Sequence, residues 1–326
     1  MSVSAPKDWL AHVAGPAAAG LRSLPGRFRS RAAAYLTAAR NPGGGWPGPR
    51  GGSDVYYTAF ALRAMDLLRL PDAALWHAAA RYLAGPGASP ADLVDWQSFL
   101  QALEIVQRHG GPAGEGVSIP RVTTAALGAL ASRRLAGGGF AKMPGGGASL
   151  YHTFLAALCY GLLEEPMPGW DAVADVVLSH RGRDGGFADL RTASGRPPAG
   201  VNPTAAGVQL LAMADALAPD VADGAARFVL ACRRPDGGFG AWPGAPFSDL
   251  LSTFTALVTL ITTGRGLPEA PAATVRFIRG LYADGGFCGA PPDRRPDAEY
   301  TYYGIASLGL MGSLLEGGTG DVPLEE

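Results

Sequence analysis

Cysteine and lysine are scarce in this chain of 326 residues. Three cysteines, Cys159, Cys232 and Cys288, are too few and too scattered for a disulfide framework or a CxxC zinc ribbon, and they fit a reducing compartment. A cytoplasmic protein is expected. Lysine occurs only at Lys7 and Lys142, and Lys plus Arg number 27 against 28 Asp plus Glu. A net charge of −1 leaves no basic field to hold nucleic acid or an anionic membrane by counterion release, so neither is an expected partner. Charged residues make up 17% and hydrophobic ones 48%, so the chain folds despite its 47 Gly and 27 Pro. No apolar run reaches the ~18 residues of a spanning helix, and no integral membrane segment is expected. The stretch from Trp9 to Leu21 is broken by His12, Gly15 and Pro16 and reads as an N-terminal helix rather than a signal peptide.

What is present is a repeat. Gly-Gly-aromatic triplets end at Trp46, Phe140, Phe187, Phe239 and Phe287, with gaps of 94, 47, 52 and 48 residues. The first gap is twice the second, so one copy is hidden near residue 93, and Tyr82-Leu83 lies 47 residues after Tyr35-Leu36. Six units of about 48 residues follow. In each, an alanine-rich segment precedes the triplet, and after a Gly/Pro loop comes a second segment that is apolar on nearly all faces. These second segments are Thr58–Leu68, Phe99–Val106, Thr153–Leu163, Thr204–Leu217, Thr253–Ile261 and Thr301–Leu315. None alternates with a period of two, so each unit is a helical hairpin whose second helix is buried.

The expected fold is all-α, an α/α toroid of six hairpins, twelve helices in all, whose inner helices line a central cavity. The inner helices begin near Asp54, Asp95, Ser149, Gly200, Asp249 and Asp297. The expected division is an N-terminal helical extension (1–26), one toroid domain (27–316) and a tail (317–326). The glycines supply positive φ between helices and the aromatic ring plugs the gap between neighbouring hairpins. No strand precedes them, which excludes a nucleotide-phosphate loop.

The run from Arg31 through Tyr35-Leu36 and Arg40 to Gly44-Gly45-Trp46 resembles the QW repeat of squalene and hopene cyclases, with Arg40 in place of the glutamine. The last unit, from Asp284-Gly285-Gly286-Phe287 through Asp297 and Thr301 to Gly312, is similar to the C-terminal repeat of protein geranylgeranyltransferase β subunits. The resemblance spans residues 30 to 315 and implies the terpenoid cyclase and protein prenyltransferase superfamily, with an isoprenoid ligand. It leaves an α-type helical partner subunit undetermined.

The same resemblance implies a zinc site made of an Asp, a Cys two residues on and a His in the last unit. The matching positions hold Asp249, Leu251 and Tyr300, so no metal is expected. The family's diphosphate-gripping His falls at Gly200 or Pro198, and its cationic pair falls in the apolar loop from Trp242 to Phe247. Arg191, Arg196, Arg294 and Arg295 are the loop cations near enough to matter. The acids at the inner-helix starts, Asp54, Asp95, Asp249, Asp297 and Glu299, repel a diphosphate unless Mg²⁺ intervenes, and no other cofactor is expected. The proton-donating DxDD motif of class II cyclases is matched only by Asp54, with Tyr56 and Tyr57 in place of its later acids.

The candidate catalytic residues are Asp54, Asp297 and Tyr300. The candidate cavity residues are Tyr56, Tyr57, Asp95, Trp96, Tyr151, His152, Asp249, Glu299 and Tyr303. An Asp four residues before the first residue of an inner segment (Thr58, Phe99, Thr253 or Thr301) is also a good N-cap, and that reading stands beside the catalytic one. The expected function is isoprenoid binding or processing of prenyltransferase β or cyclase type, without the zinc-thiolate site and without an intact DxDD. The alternatives are a non-catalytic lipid-binding or protein-interaction toroid, and a carbohydrate enzyme with paired carboxylates.

Overall fold

The structure is a computed structural model that describes residues 6–69, 72–111, 116–190, 198–266 and 271–316. Among them are thirteen α-helices: α1 (Pro6–Gly20), α2 (Gly26–Ala39), α3 (Val55–Leu68), α4 (Ala73–Ala84), α5 (Leu93–Arg108), α6 (Ile119–Ala131), α7 (Leu150–Leu162), α8 (Trp170–Ser179), α9 (Val201–Met213), α10 (Pro219–Ala231), α11 (Leu250–Thr262), α12 (Pro271–Gly280) and α13 (Ala298–Glu316). After α1 the chain runs as six successive helix pairs, α2/α3 to α12/α13. Strand is confined to two-residue antiparallel ladders, such as Trp46–Pro47 with Ser53–Asp54. The second helix of a pair is the buried one: ten of the thirteen residues of α7 are buried, but only Val173 and Val177 of α8.

The chain divides into two compact units. Unit 1 comprises Met1–Gly15, Leu130–Leu281 and Gly289–Asp293; unit 2 comprises Pro16–Ala129, Tyr282–Cys288 and Arg294–Glu326. In unit 1, α9 packs between α7 and α11, with α8 and α10 against it. In unit 2, α3 packs between α5 and α13, and α2 and α4 lie behind α3 and α5.

Each triplet is a three-part joint. Its first glycine has φ between +88° and +98° and meets the backbone of a first helix; a Cβ at Gly44 would fall on the Ala78 carbonyl of α4, and one at Gly237 on Ala273 of α12. A side chain there is strained and also has no room. In four of the five the second glycine lies under an aromatic ring of that same helix: Gly45 under Tyr82, Gly186 under Phe228, Gly238 under Phe277 and Gly286 under Tyr35; Gly139 faces Thr153 of α7 and Val176 of α8 instead. The aromatic residue itself is at most 1% exposed at all five positions.

Burying that residue would orphan its N–H, which costs about 1–3 kcal/mol if unmet. A threonine in the first turn of the following helix meets it. Trp46 donates to Thr58, Phe140 to Thr153 and Phe187 to Thr204 at 2.9 Å, Phe287 to Thr301 at 3.0 Å and Phe239 to Thr253 at 3.1 Å. The hydroxyls of Thr153, Thr204 and Thr253 pass their own protons to the carbonyls four residues back, at 2.7 Å. The second pair has neither triplet nor threonine; Phe99 stands in that place, buried. With no buried aromatic N–H to satisfy, the need for a hydroxyl disappears along with the triplet.

Two expected boundaries are corrected. The second inner helix begins at Leu93 rather than near Asp95, because Asp92 caps it, accepting from Val94 N–H at 2.8 Å and Asp95 N–H at 3.1 Å. The fourth ends at Met213, short of Leu217, and Asp215 turns the chain at φ 54°. The other starts, at Val55, Leu150, Val201, Leu250 and Ala298, follow directly on Asp54, Ser149, Gly200, Asp249 and Asp297. The tail 317–326, Arg191 and Arg196 lie outside the described residues.

Candidate functional site

Three of the acids at helix starts cap their helices. Asp54 Oδ1 accepts from Tyr56 N–H at 2.8 Å and Tyr57 N–H at 3.3 Å. Asp297 accepts from Tyr300 N–H at 2.8 Å. Asp249 takes both the N–H and the hydroxyl of Ser252 at 2.7 Å, and burial pushes its carboxyl above the ordinary value against those bonds. Asp95, in the first turn of α5, accepts from Ala91 N–H at 3.0 Å; burial raises it too. Trp96 beside it meets Phe99 edge-on at 6.3 Å.

Unit 2 gathers most of the expected residues along the α3–α13 seam. Tyr56, Phe60 and Arg63 share one face of α3 by their spacing of four and three. Glu299, Tyr302 and Tyr303 do the same on α13. Tyr56 Oη donates to Glu299 Oε1 at 2.7 Å. Phe60 has Tyr56, Tyr303 and Tyr302 around it at centroid distances of 4.8, 5.2 and 5.6 Å, and Tyr300 meets Tyr303 at 6.3 Å. Arg63 lies over the Tyr302 ring at 3.8 Å and the Phe60 ring at 4.9 Å, and its Nη2 donates to Tyr302 Oη at 2.7 Å.

The electrostatics of this seam are set by burial. Loss of water lifts the Glu299 carboxyl to about 7; Asp297 adds to the rise, while the Tyr56 hydrogen bond and the Arg63 charge oppose it. The Tyr57 phenol is pushed up to about 12, first by burial and then by Asp297, Glu299 and Asp54. At neutral pH the seam therefore holds a protonated Tyr57 phenol beside a Glu299 carboxyl lifted to about 7.

Tyr151, His152 and Asp249 belong to unit 1. Ser149, the cap of α7, sits between two groups: its Oγ donates to Asp189 Oδ1 at 2.9 Å and lies 2.9 Å from His152 Nδ1. A hydroxyl has one proton, so with Asp189 taking it His152 Nδ1 carries the hydrogen of the second bond. Asp189 also accepts from Tyr151 N–H at 2.8 Å. Arg294 and Arg295 are exposed.

Sequence reasoning missed Arg63, Tyr302, Ser149 and Asp189 as members of these clusters. Arg63 carried a signal, since it and Asp66 are the only charges in the segment Thr58–Leu68. Asp189 carried none, because it reaches Ser149 from 40 residues away.

The family model of the prenyltransferase alpha-alpha toroid domain matches residues 129–174 and 188–322, more than half of the chain. The chain belongs to this toroid family. Among relatives, the geranylgeranyl transferase type-2 subunit beta of Candida albicans is 31% identical over 110 residues, 32% of this chain and 32% of that protein. The match thus spans about a third of the relative's length. Among solved structures, Candida albicans protein geranylgeranyltransferase-I complexed with GGPP has a TM-score of 0.60 at 14% identity, covering 78% of this chain and 83% of that one. The type II terpene cyclase MstE from Scytonema has a TM-score of 0.57 at 17% identity, covering 89% and 97%. At such identities the likeness establishes the toroid fold, and the residues must speak for the chemistry. Among the described residues of the toroid, no group of three His, Cys, Asp or Glu is placed to hold a metal ion, and no helix is long and apolar enough to cross a membrane.

Proposed function

We propose that this toroid binds an isoprenoid against the aromatic face of α3 and α13 and acts on it through Glu299. The observation that carries the reading is a carboxyl titrating near 7 among the rings of Tyr56, Phe60, Tyr302 and Tyr303. Aromatic faces suit a polyisoprene chain, and they attract any carbon that becomes cationic. A carboxyl poised at neutrality suits proton exchange. Its raised value makes Glu299 a weaker acid than an ordinary carboxyl, so it fits a proton acceptor better than the initiator of an alkene-protonating cascade. Asp54 is no substitute, since it caps α3 and is followed by Tyr56 and Tyr57 rather than by further acids.

Zinc does not fit the positions that the family resemblance marks. Leu251 offers no donor atom, a tyrosine phenol ordinarily stays protonated near neutrality, and the Asp249 oxygens already accept from Ser252. No step is therefore routed through a metal; Mg²⁺ enters only as the companion of a bound diphosphate. In this reading Asp54 and Asp297 hold the helix starts that present Tyr56 and Tyr300.

The test is native mass spectrometry of the full chain with farnesyl and geranylgeranyl diphosphates and the matching alcohols, followed by product analysis. A one-to-one complex weakened at least about tenfold in Phe60→Leu, and product formation lost in Glu299→Gln, are expected. Absence of any prenyl complex overturns the reading, and binding without turnover reduces it to a carrier.

A further inference from the structure

In unit 1 the loops that run from a triplet to its inner helix carry a pattern of their own. Main-chain bonds fix their register: Asp189, Ala241 and Gly289, each two residues past the buried aromatic, accept from Leu150 N–H at 3.1 Å, Val201 N–H at 2.9 Å and Leu250 N–H at 2.8 Å. The residue after each of them is thereby held beside an inner-helix start. Leu190 and Trp242 stand at that place, 42% and 50% exposed, and Met143 stands there by count, 65% exposed. Phe247, in the same loop as Trp242, and Tyr151, next to Leu150, are exposed as well. Large apolar side chains gathered at a surface mark a contact site.

The loop from Trp242 to Phe247 is built to keep its shape. Arg234 Nη1 and Nη2 donate to the carbonyls of Ala245 and Pro246, the second at 3.2 Å, and Ala245 N–H donates to the Trp242 carbonyl at 3.0 Å. Gly244 turns the chain at φ 83°, while Pro243 and Pro246 restrict it and bring no N–H. Two aromatic side chains are thus presented at little ordering cost, on a backbone that has withdrawn part of its own polarity. Charge then selects the occupant. Between triplet and inner helix, the described residues of unit 1 hold the charged side chains Lys142, Asp189, Asp249 and Asp293. Asp189 and Asp249 accept from Ser149 and Ser252 at the helix starts; the other two are of opposite sign. Exposed Trp, Tyr, Phe, Leu and Met with balanced charge match a zwitterionic lipid interface, where Trp and Tyr settle among the headgroups and apolar tips reach below them.

We propose that these loops of unit 1 dock on a neutral phospholipid surface, with Trp242 and Phe247 as the anchors and Met143 and Leu190 in support. Such docking needs no basic field, which a net charge of −1 does not provide. It stands apart from the isoprenoid reading, because it is set by these loops and not by the α3–α13 seam.

The experiment is flotation of the full chain with phosphatidylcholine vesicles at about 0.1 M and about 1 M NaCl. It compares the wild type, Met143→Ser and the double variant Trp242→Ser/Phe247→Ser. The wild type is expected to float at both salt concentrations. The double variant should partition about tenfold or more weakly at an unchanged melting temperature, and Met143→Ser should show a smaller loss in the same direction. Quenching of tryptophan fluorescence by brominated phosphatidylcholine gives a second reading that serves if the double variant does not fold: Trp242→Phe should still float but lose most of the quenching. The proposal is overturned if the wild type stays in solution, if it floats only on vesicles containing phosphatidylglycerol and salt releases it, or if the double variant floats as well as the wild type. Self-association that the double variant abolishes, with no capture by vesicles, also overturns it and makes these loops a contact between copies of the chain.

Discussion

The two units use one joint and different chemistry. Helices α7, α9 and α11 of unit 1 contain no Asp, Glu, Lys or Arg. Polar groups on these helices pair with one another, as in Gln209 with Thr262 at 2.9 Å and Thr255 with Asn202 at 2.7 Å. Helices α3, α5 and α13 of unit 2 carry Arg63, Asp66, Asp95, Glu104, Arg108 and Glu299. Both units still seat a buried aromatic residue on a threonine hydroxyl. The joint is thus a matter of backbone geometry, independent of the charges its helices carry, and function is free to differ from repeat to repeat.

The sharpest way to break this comparison is to empty the joint in each unit. Phe239→Ala in unit 1 and Phe287→Ala in unit 2 each remove a ring that is fully buried. Losses of about 3–5 kcal/mol are expected for both, read from urea unfolding. A mild effect at one of them would show that the shared joint is not a shared source of stability.

The next effect should belong mainly to unit 2. Folding raises Glu299 from 4.5 to about 7, so the folded protein holds the proton more tightly than the unfolded one. Stability is then greatest below pH 4.5, as far as this group decides it, and falls as pH rises toward 7, by on the order of 3 kcal/mol. Asp95 and Asp249, also raised by burial, add the same sign starting from lower pH. Unfolding followed across pH 4 to 8 should lose most of its slope in Glu299→Gln; an unchanged slope would place the titration elsewhere.

The joint and the seam were not equally visible in the amino-acid order. Gly44-Gly45-Trp46 and its copies are readable because one backbone contact, one close side-chain contact and one buried ring leave few other residues suitable, so the triplets mark five of the six repeats and their helix starts. The second repeat lacks the triplet, and without that mark the start of α5 was misplaced onto Asp95 when Asp92 is the cap. Tyr56 and Glu299 were visible as residues near helix starts, but their bond joins positions 243 apart. Arg63 depends on Tyr302, 239 residues on, and only folding brings the two together.

A smaller effect tests the threonines. Thr253→Val and Thr301→Val keep shape but leave the N–H of Phe239 and of Phe287 without an acceptor. Each should cost about 1–3 kcal/mol in unfolding measurements, and equally in both units. Near-neutral outcomes would mean that the aromatic N–H finds another partner.

The smallest expected effect bears on the acids at the helix starts, where unit 2 has Asp54 and unit 1 has Asp249. If both are caps, replacement by Ala costs about 1 kcal/mol and replacement by Asn almost nothing, because an amide oxygen accepts from the same N–H groups. Asp249 should respond more than a simple cap, since its second oxygen also holds the Ser252 hydroxyl and asparagine can keep only one of the two bonds as they stand. Asp54 uses one oxygen for both Tyr56 and Tyr57, so Asn should replace it fully. The measurement is thermal unfolding paired with the ligand and product assays. An Asp54→Asn protein that keeps its melting temperature but loses turnover would move the proton chemistry from Glu299 to Asp54; one that keeps both leaves Asp54 as the support on which Tyr56 reaches Glu299.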